Sequence, residues 1–79
     1  MLKDIHAAKK KVDKEHPNLA INSGYESNFG NKKSYAFSGV DTDFDYPRTI
    51  IVLENGEEAF LEGPICAAYL NNKTTKKIF

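Results

Sequence analysis

The sequence predicts a small α+β domain: an antiparallel sheet of three to four strands, with an N-terminal helix and a short C-terminal helix packed on one face. Three observations carry this reading. Apolar residues recur at helical spacing near the N-terminus, alternating or β-branched runs fill the middle, and Gly63-Pro64 opens a second apolar helical run. At 79 residues the chain reads as a single domain, 1–79. A chain this short buries only about 60% of the surface its unfolded form exposes, so its stability margin is narrow. With 41% apolar residues, four tyrosines and five phenylalanines, it is too rich in apolar side chains for disorder.

Leu2, Ile5, Ala8 and Val12 form one apolar stripe, charge occupies the other side, and Pro17 closes the pattern, which predicts an amphipathic helix over about residues 2–15. "LAINSGY" alternates through Leu19, Ile21, Ser23 and Tyr25, as a strand with one buried face does. Gly30-Asn31 marks a turn, and "SYAFSGV" alternates again through Tyr35, Phe37 and Gly39. "RTIIVLE" is β-branched, and Asn55-Gly56 before "EEAFLE" predicts a hairpin with a type I′ turn, in which both turn residues take positive φ. Pro64 suits the first position of the last helix, where a missing amide hydrogen costs nothing. The tail "KTTKKIF" either frays or docks Ile78 and Phe79 on the core.

Cys66 is the single cysteine, so no intrachain disulfide reinforces the fold, whereas small secreted domains usually carry several pairs. The N-terminal stretch lacks the unbroken apolar run of a signal peptide, and no run approaches a membrane span. A cytoplasmic protein without membrane contact is expected. Asn72-Lys73-Thr74 is a formal glycosylation sequon that such a compartment leaves unused.

Net charge is zero, but its distribution is uneven. Residues 1–17 carry five lysines against three acids, whereas residues 41–62 carry seven acids against Arg48 alone. A field of one sign steers partners of the other. Within the acidic segment, "DTDFDYP" sets Asp41, Asp43 and Asp45 at positions 1, 3 and 5 of a calcium loop. Tyr46 and Val52 then stand where such a loop needs its glycine and bidentate glutamate. The metal match fails there, and no metal or cofactor is expected. Two readings remain: a polar connection that keeps a sheet edge soluble, or a recognition element. In the second, Asp41, Asp43 and Asp45 face a basic surface, Phe44 or Tyr46 supplies an apolar anchor, and Glu54, Glu57 and Glu58 extend the field, with Glu62 beyond them.

The remaining motifs favour structure over chemistry. Lys3, Lys10 and Lys14 share one helix side with Lys11 at its border, but the chain lacks the basic excess of a nucleic-acid binder. Tyr35 and Phe37 share a strand face without the basic residues of a base-stacking platform, so core packing is the expectation. His6 and His16 stand ten residues apart, off the spacing of a paired ligand set, with His16 closing the helix end beside Pro17. Cys66 lies in apolar "ICAAYL" with no basic neighbour to activate it. No nucleophile elbow or phosphate-binding loop is present, and a small sheet offers little concavity for paired carboxylates to work in. The expectation is a protein that is not an enzyme.

From Tyr35 onward, "YAF", "PRTIIVLENGE" and "EGPICAAYL" follow one another. Over about half the chain this order resembles a short α+β family of bacterial immunity proteins found beside polymorphic toxins. It differs in lacking tryptophan, in a short loop before Pro47 and in the adjacency of Gly63 and Pro64. The resemblance implies inhibition by binding, with no catalytic residues to carry over. The sequence reading is therefore a non-enzymatic inhibitor, of phage or mobile-element origin or from a toxin–immunity pair. It would contact a basic surface of a nuclease, toxin or defence complex. The alternative is a nucleic-acid-associated or structural accessory domain using the helix lysines, and an exposed sheet edge leaves a homo-oligomer open.

Overall fold

The computed structural model describes residues 4–29, 31–59 and 63–79. Leu2, Lys3, Gly30, Phe60, Leu61 and Glu62, which figure in the expectations above, lie outside the described residues. The elements run α1 (Ile5–Glu15), β1 (Leu19–Phe29), β2 (Lys32–Asp41), β3 (Tyr46–Leu53), β4 (Glu58–Ala59), α2 (Gly63–Leu70) and β5 (Lys76–Lys77). The sheet is antiparallel in the order β4-β3-β2-β1-β5.

The α+β class is as expected, and two details differ. The sheet has five strands rather than three to four, because the tail docks. Lys76 and Lys77 pair with Glu26 and Tyr25, and the Ile78 and Phe79 amides donate to the Gly24 carbonyl. The Phe79 ring lies over Gly24, where a Cβ would stand 2.3 Å from its edge, and 6.5 Å from the Phe37 ring.

The helices also take opposite faces of the sheet instead of one. Ile5, Ala8 and Val12 of α1 pack on Leu19, Tyr35, Phe37, Ile50 and Val52. On the other face Tyr69 of α2 packs with Ala36 and Ile51, and Tyr25, Ala59, Cys66 and Leu70 border them. The register imposes this, since successive strand side chains alternate faces. Tyr35 pairs with Val52 and Phe37 with Ile50, whereas Ala36 pairs with Ile51. Ser34 through Phe37 are consequently buried without a break.

Within β1 the single buried face also fails. Asn22 forms a bulge: Ile21 opposes Gly39, but Ser23 opposes Ser38. The extra residue inverts the alternation, so Leu19 and Ile21 join the α1 core while Tyr25 joins the α2 core. Gly39 permits this close crossing, since a Cβ there would lie 2.0 Å from the Ala20 carbonyl oxygen.

Local chemistry sets the element ends. Asp4 caps α1, its carboxylate accepting from the His6 and Ala7 amides at 3.0 Å, and so satisfies donors that the first turn leaves without partners. The hairpin after β3 is not type I′. Only Gly56 has positive φ, at 93°, and Asn55 does not. The Gly56 amide donates to the Leu53 carbonyl and the Leu53 amide to Glu57, while the Asn55 side chain accepts from the Glu57 amide. This makes a three-residue loop with glycine at its left-handed position. Beneath α2, hydroxyls add to the apolar contact: the Tyr69 hydroxyl and Ser34 Oγ lie 2.5 Å apart, and the half-buried Thr75 Oγ1 donates to the Tyr69 carbonyl at 2.7 Å while lying 2.7 Å from Ser27 Oγ.

Candidate functional site

The segment Asp41–Tyr46 connects β2 to β3, and its first half is fastened down. Asp41 is buried. One of its carboxylate oxygens accepts from the Asp43 amide at 3.0 Å, and the other accepts from Arg48 Nη1 at 3.2 Å. Its carbonyl accepts from the Asp45 amide. Asp41 is therefore the residue that shapes the loop, and its carboxylate is not free for a partner. Asp43 accepts from the Asn18 side chain at 2.5 Å, and Thr42 donates twice to the Asn18 carbonyl. Asn18, in the connection from α1 to β1, thus moors the loop.

The second half projects. Asp45 adopts φ 55°, a left-handed conformation that aspartate tolerates better than most residues. This turn leaves Phe44 72% and Tyr46 46% exposed. Their rings stand 5.9 Å apart and tilted, a favourable aromatic arrangement. The result is an aromatic pair on the surface that alternates in sequence with Asp43 and Asp45.

The glutamates expected to extend this field divide. Glu54 and Glu57 belong to the turn at the far end of β3, about 23 Å away at about 3.3 Å per strand residue. That exceeds the ~8 Å screening length of physiological salt, so these acids do not act with the loop on one small contact. Glu58 instead turns toward α1, its Oε1 lying 2.9 Å from His16 Nε2.

Sequence reasoning missed Glu15, His16, Asn18 and Arg48. Together with Asp41, Asp43 and Phe44 they line a shallow cleft of about 170 Å³ between the end of α1 and the acidic loop. Lys11 hydrogen-bonds Glu15 from one helical turn away. The Lys11 ammonium first, and hydrogen bonding with Glu58 second, hold the Glu15 carboxyl below the usual carboxylate range. The i,i+4 spacing of Lys11 and Glu15 was a local signal for this pair. Nothing local links residue 16 to residue 58.

Among the helix lysines, Lys9 is bridged to Asp13 at 2.9 Å and Lys11 to Glu15. Acids on the same helix therefore bridge two of the four described helix lysines, of which only Lys11 borders the side that Lys10 and Lys14 share. A second hollow, about 550 Å³, lies between β3 and α2, lined by Pro47, Thr49, Ile51, Cys66, Ala67 and Leu70 among others. Cys66 is half-buried there rather than sealed in the core. Tyr35 and Phe37 are fully buried, as core residues.

No protein family, no curated protein and no solved structure matches the chain. No helix among the described residues is long and apolar enough to cross a membrane.

Proposed function

We propose that the chain is a small protein-binding module of the cytoplasm, without catalysis of its own. It would act as an inhibitor that presses an acidic, aromatic-tipped loop against a basic surface of a nuclease, toxin or defence complex. The observation that carries this reading is the exposure of Phe44, between Asp43 and Asp45, and of Tyr46 just after them. A loop that served only solubility would have no use for two large rings in water. Aromatic side chains ringed by polar groups are the usual anchors of protein interfaces. The flanking carboxylates would steer a basic partner and speed encounter. The contact surface consists of Asp43, Phe44, Asp45 and Tyr46, with Asp41 as its internal brace.

The test is affinity capture from lysates of the source organism and its natural competitors, at low and moderate salt. Phe44→Ala/Tyr46→Ala and Asp43→Asn/Asp45→Asn variants run beside the wild type, and Asp41 is left intact because its loss would deform the loop. A partner retained by the wild type and lost by the aromatic variant supports the reading, with the aspartate variant weakening capture chiefly at low salt. Equal capture by all three proteins refutes it.

A further inference from the structure

Glu15, His16 and Glu58 converge where α1 ends against β4. One ligand atom from each, a carboxylate oxygen or an imidazole nitrogen, lies within 4.8 Å of the others. The fold builds this cluster from distant parts of the chain. His16 caps α1, its amide donating to the Val12 carbonyl at 2.7 Å, so its ring leaves the helix end beside Glu15. Glu58 is paired with Val52, whose side chain lies in the core beneath α1. That register brings the glutamate up beside the helix end, where His16 Nε2 and Glu58 Oε1 stand 2.9 Å apart.

We propose that Glu15, His16 and Glu58 form a zinc-binding site. The donor set suits the ion: one imidazole nitrogen and two carboxylates are ligands that zinc accepts, with three protein ligands and an open fourth position. Magnesium and calcium call for six or more oxygens, and an imidazole does not serve them. The spacing is also compatible. Zinc takes nitrogen and oxygen at about 2.0–2.2 Å, which separates neighbouring tetrahedral donors by about 3.4 Å. His16 Nε2 and Glu58 Oε1 stand 2.9 Å apart and no two of the three ligand atoms are more than 4.8 Å apart, so small side-chain rotations reach that value. Both glutamates are partly exposed, so their carboxylates can turn to close the site without disturbing the core.

Charge favours a dication as well. Two carboxylates and a single imidazole share the cluster, and the cation bridged to it among the described residues is Lys11, on Glu15. Because a carboxylate has two oxygens, Lys11 can keep one while the ion takes the other. The bound ion would cross-link the last turn of α1 to the hairpin that carries β4, joining elements 42 residues apart.

The experiment uses chelator-treated full-length chain carrying Cys66→Ser, which removes the one thiolate that could bind zinc elsewhere. Zinc chloride is titrated calorimetrically near pH 7.5 and at low temperature, with magnesium and calcium chloride as separate arms, and thermal denaturation is followed in parallel. The expected result is one zinc per chain and a Tm rise of about 5–10 °C at free zinc tenfold above Kd. His16→Gln and Glu58→Gln should each weaken zinc by about tenfold or more, as ligand loss does. Glu15→Gln leaves the His16–Glu58 pair in place, so its expected loss of affinity is not a side effect of misfolding. His6→Gln should change nothing. Absence of saturable one-to-one uptake, affinity that survives His16→Gln and Glu58→Gln, or an equal response to magnesium would overturn the assignment.

Discussion

The two most buried hydroxyl-bearing rings make opposite predictions under the same substitution. Tyr35 is fully buried under α1, and its hydroxyl has no hydrogen-bond partner among the described residues. Tyr69, on the other face, is buried with its hydroxyl 2.5 Å from Ser34 Oγ. Removing the Tyr69 hydroxyl loses a buried hydrogen bond and leaves Ser34, itself fully buried, short of a partner. Such a loss costs about 1–3 kcal/mol. Removing the Tyr35 hydroxyl deletes a polar group whose burial nothing repays, so Tyr35→Phe should leave stability unchanged or raise it by about 1 kcal/mol. Phenylalanine keeps the ring in both cases, so packing is nearly constant and the two variants should differ by about 1–4 kcal/mol. Urea unfolding reads this directly. At a slope of about 1 kcal/mol per M for so small a chain, the midpoints should separate by about 1–4 M. A Tyr69→Phe/Ser34→Ala double variant should recover part of the loss, because both partners are then gone. If Tyr35→Phe costs 1 kcal/mol or more, its hydroxyl has a partner and the reasoning fails.

Gly39→Ala should destabilise by about 2–4 kcal/mol or prevent folding, because the new Cβ meets the Ala20 backbone at 2.0 Å; a near-native urea midpoint would count against the bulge crossing. Asp41→Asn should cost about 1–2 kcal/mol through loss of the charged bond to Arg48. Asp45→Asn should stay within about 0.5 kcal/mol, since asparagine accepts the same positive φ, and the difference between the two variants is readable by thermal melts. Burial raises the pKa of both Tyr35 and Tyr69 above the ordinary phenol value, with the Ser34 bond opposing it at Tyr69. A raised folded-state pKa contributes stability that is complete below the unfolded value near 10 and is lost as pH rises through the folded one. Stability should therefore fall above about pH 10, with ultraviolet titration showing tyrosines that ionise only as the fold opens.

The existence and type of most elements were legible because they rest on local rules. The 3.6-residue apolar stripe made α1, and Pro64 at the first turn of α2 was a signal of the same kind. The run Ile50-Ile51-Val52 even carried an unread hint: consecutive apolar residues in a strand mean that both faces are covered. Which helix covers which face depended on the register between β2 and β3 and on the Asn22 bulge. Pairing across strands decides both, and a strand's own period cannot report them.

The same division runs through the candidate site. The sequence marked the acidic loop and its two rings, since composition and spacing suffice to find charge and aromatics. It could not tell that Asp41 is a buried brace, or that Glu54 and Glu57 sit at the opposite end of a strand from Asp45. Nor could it bring Glu58 to His16. Chain proximity orders residues along one dimension, whereas charge, ligation and contact depend on distance in three. Only the folding of α1 across the sheet converts the one into the other.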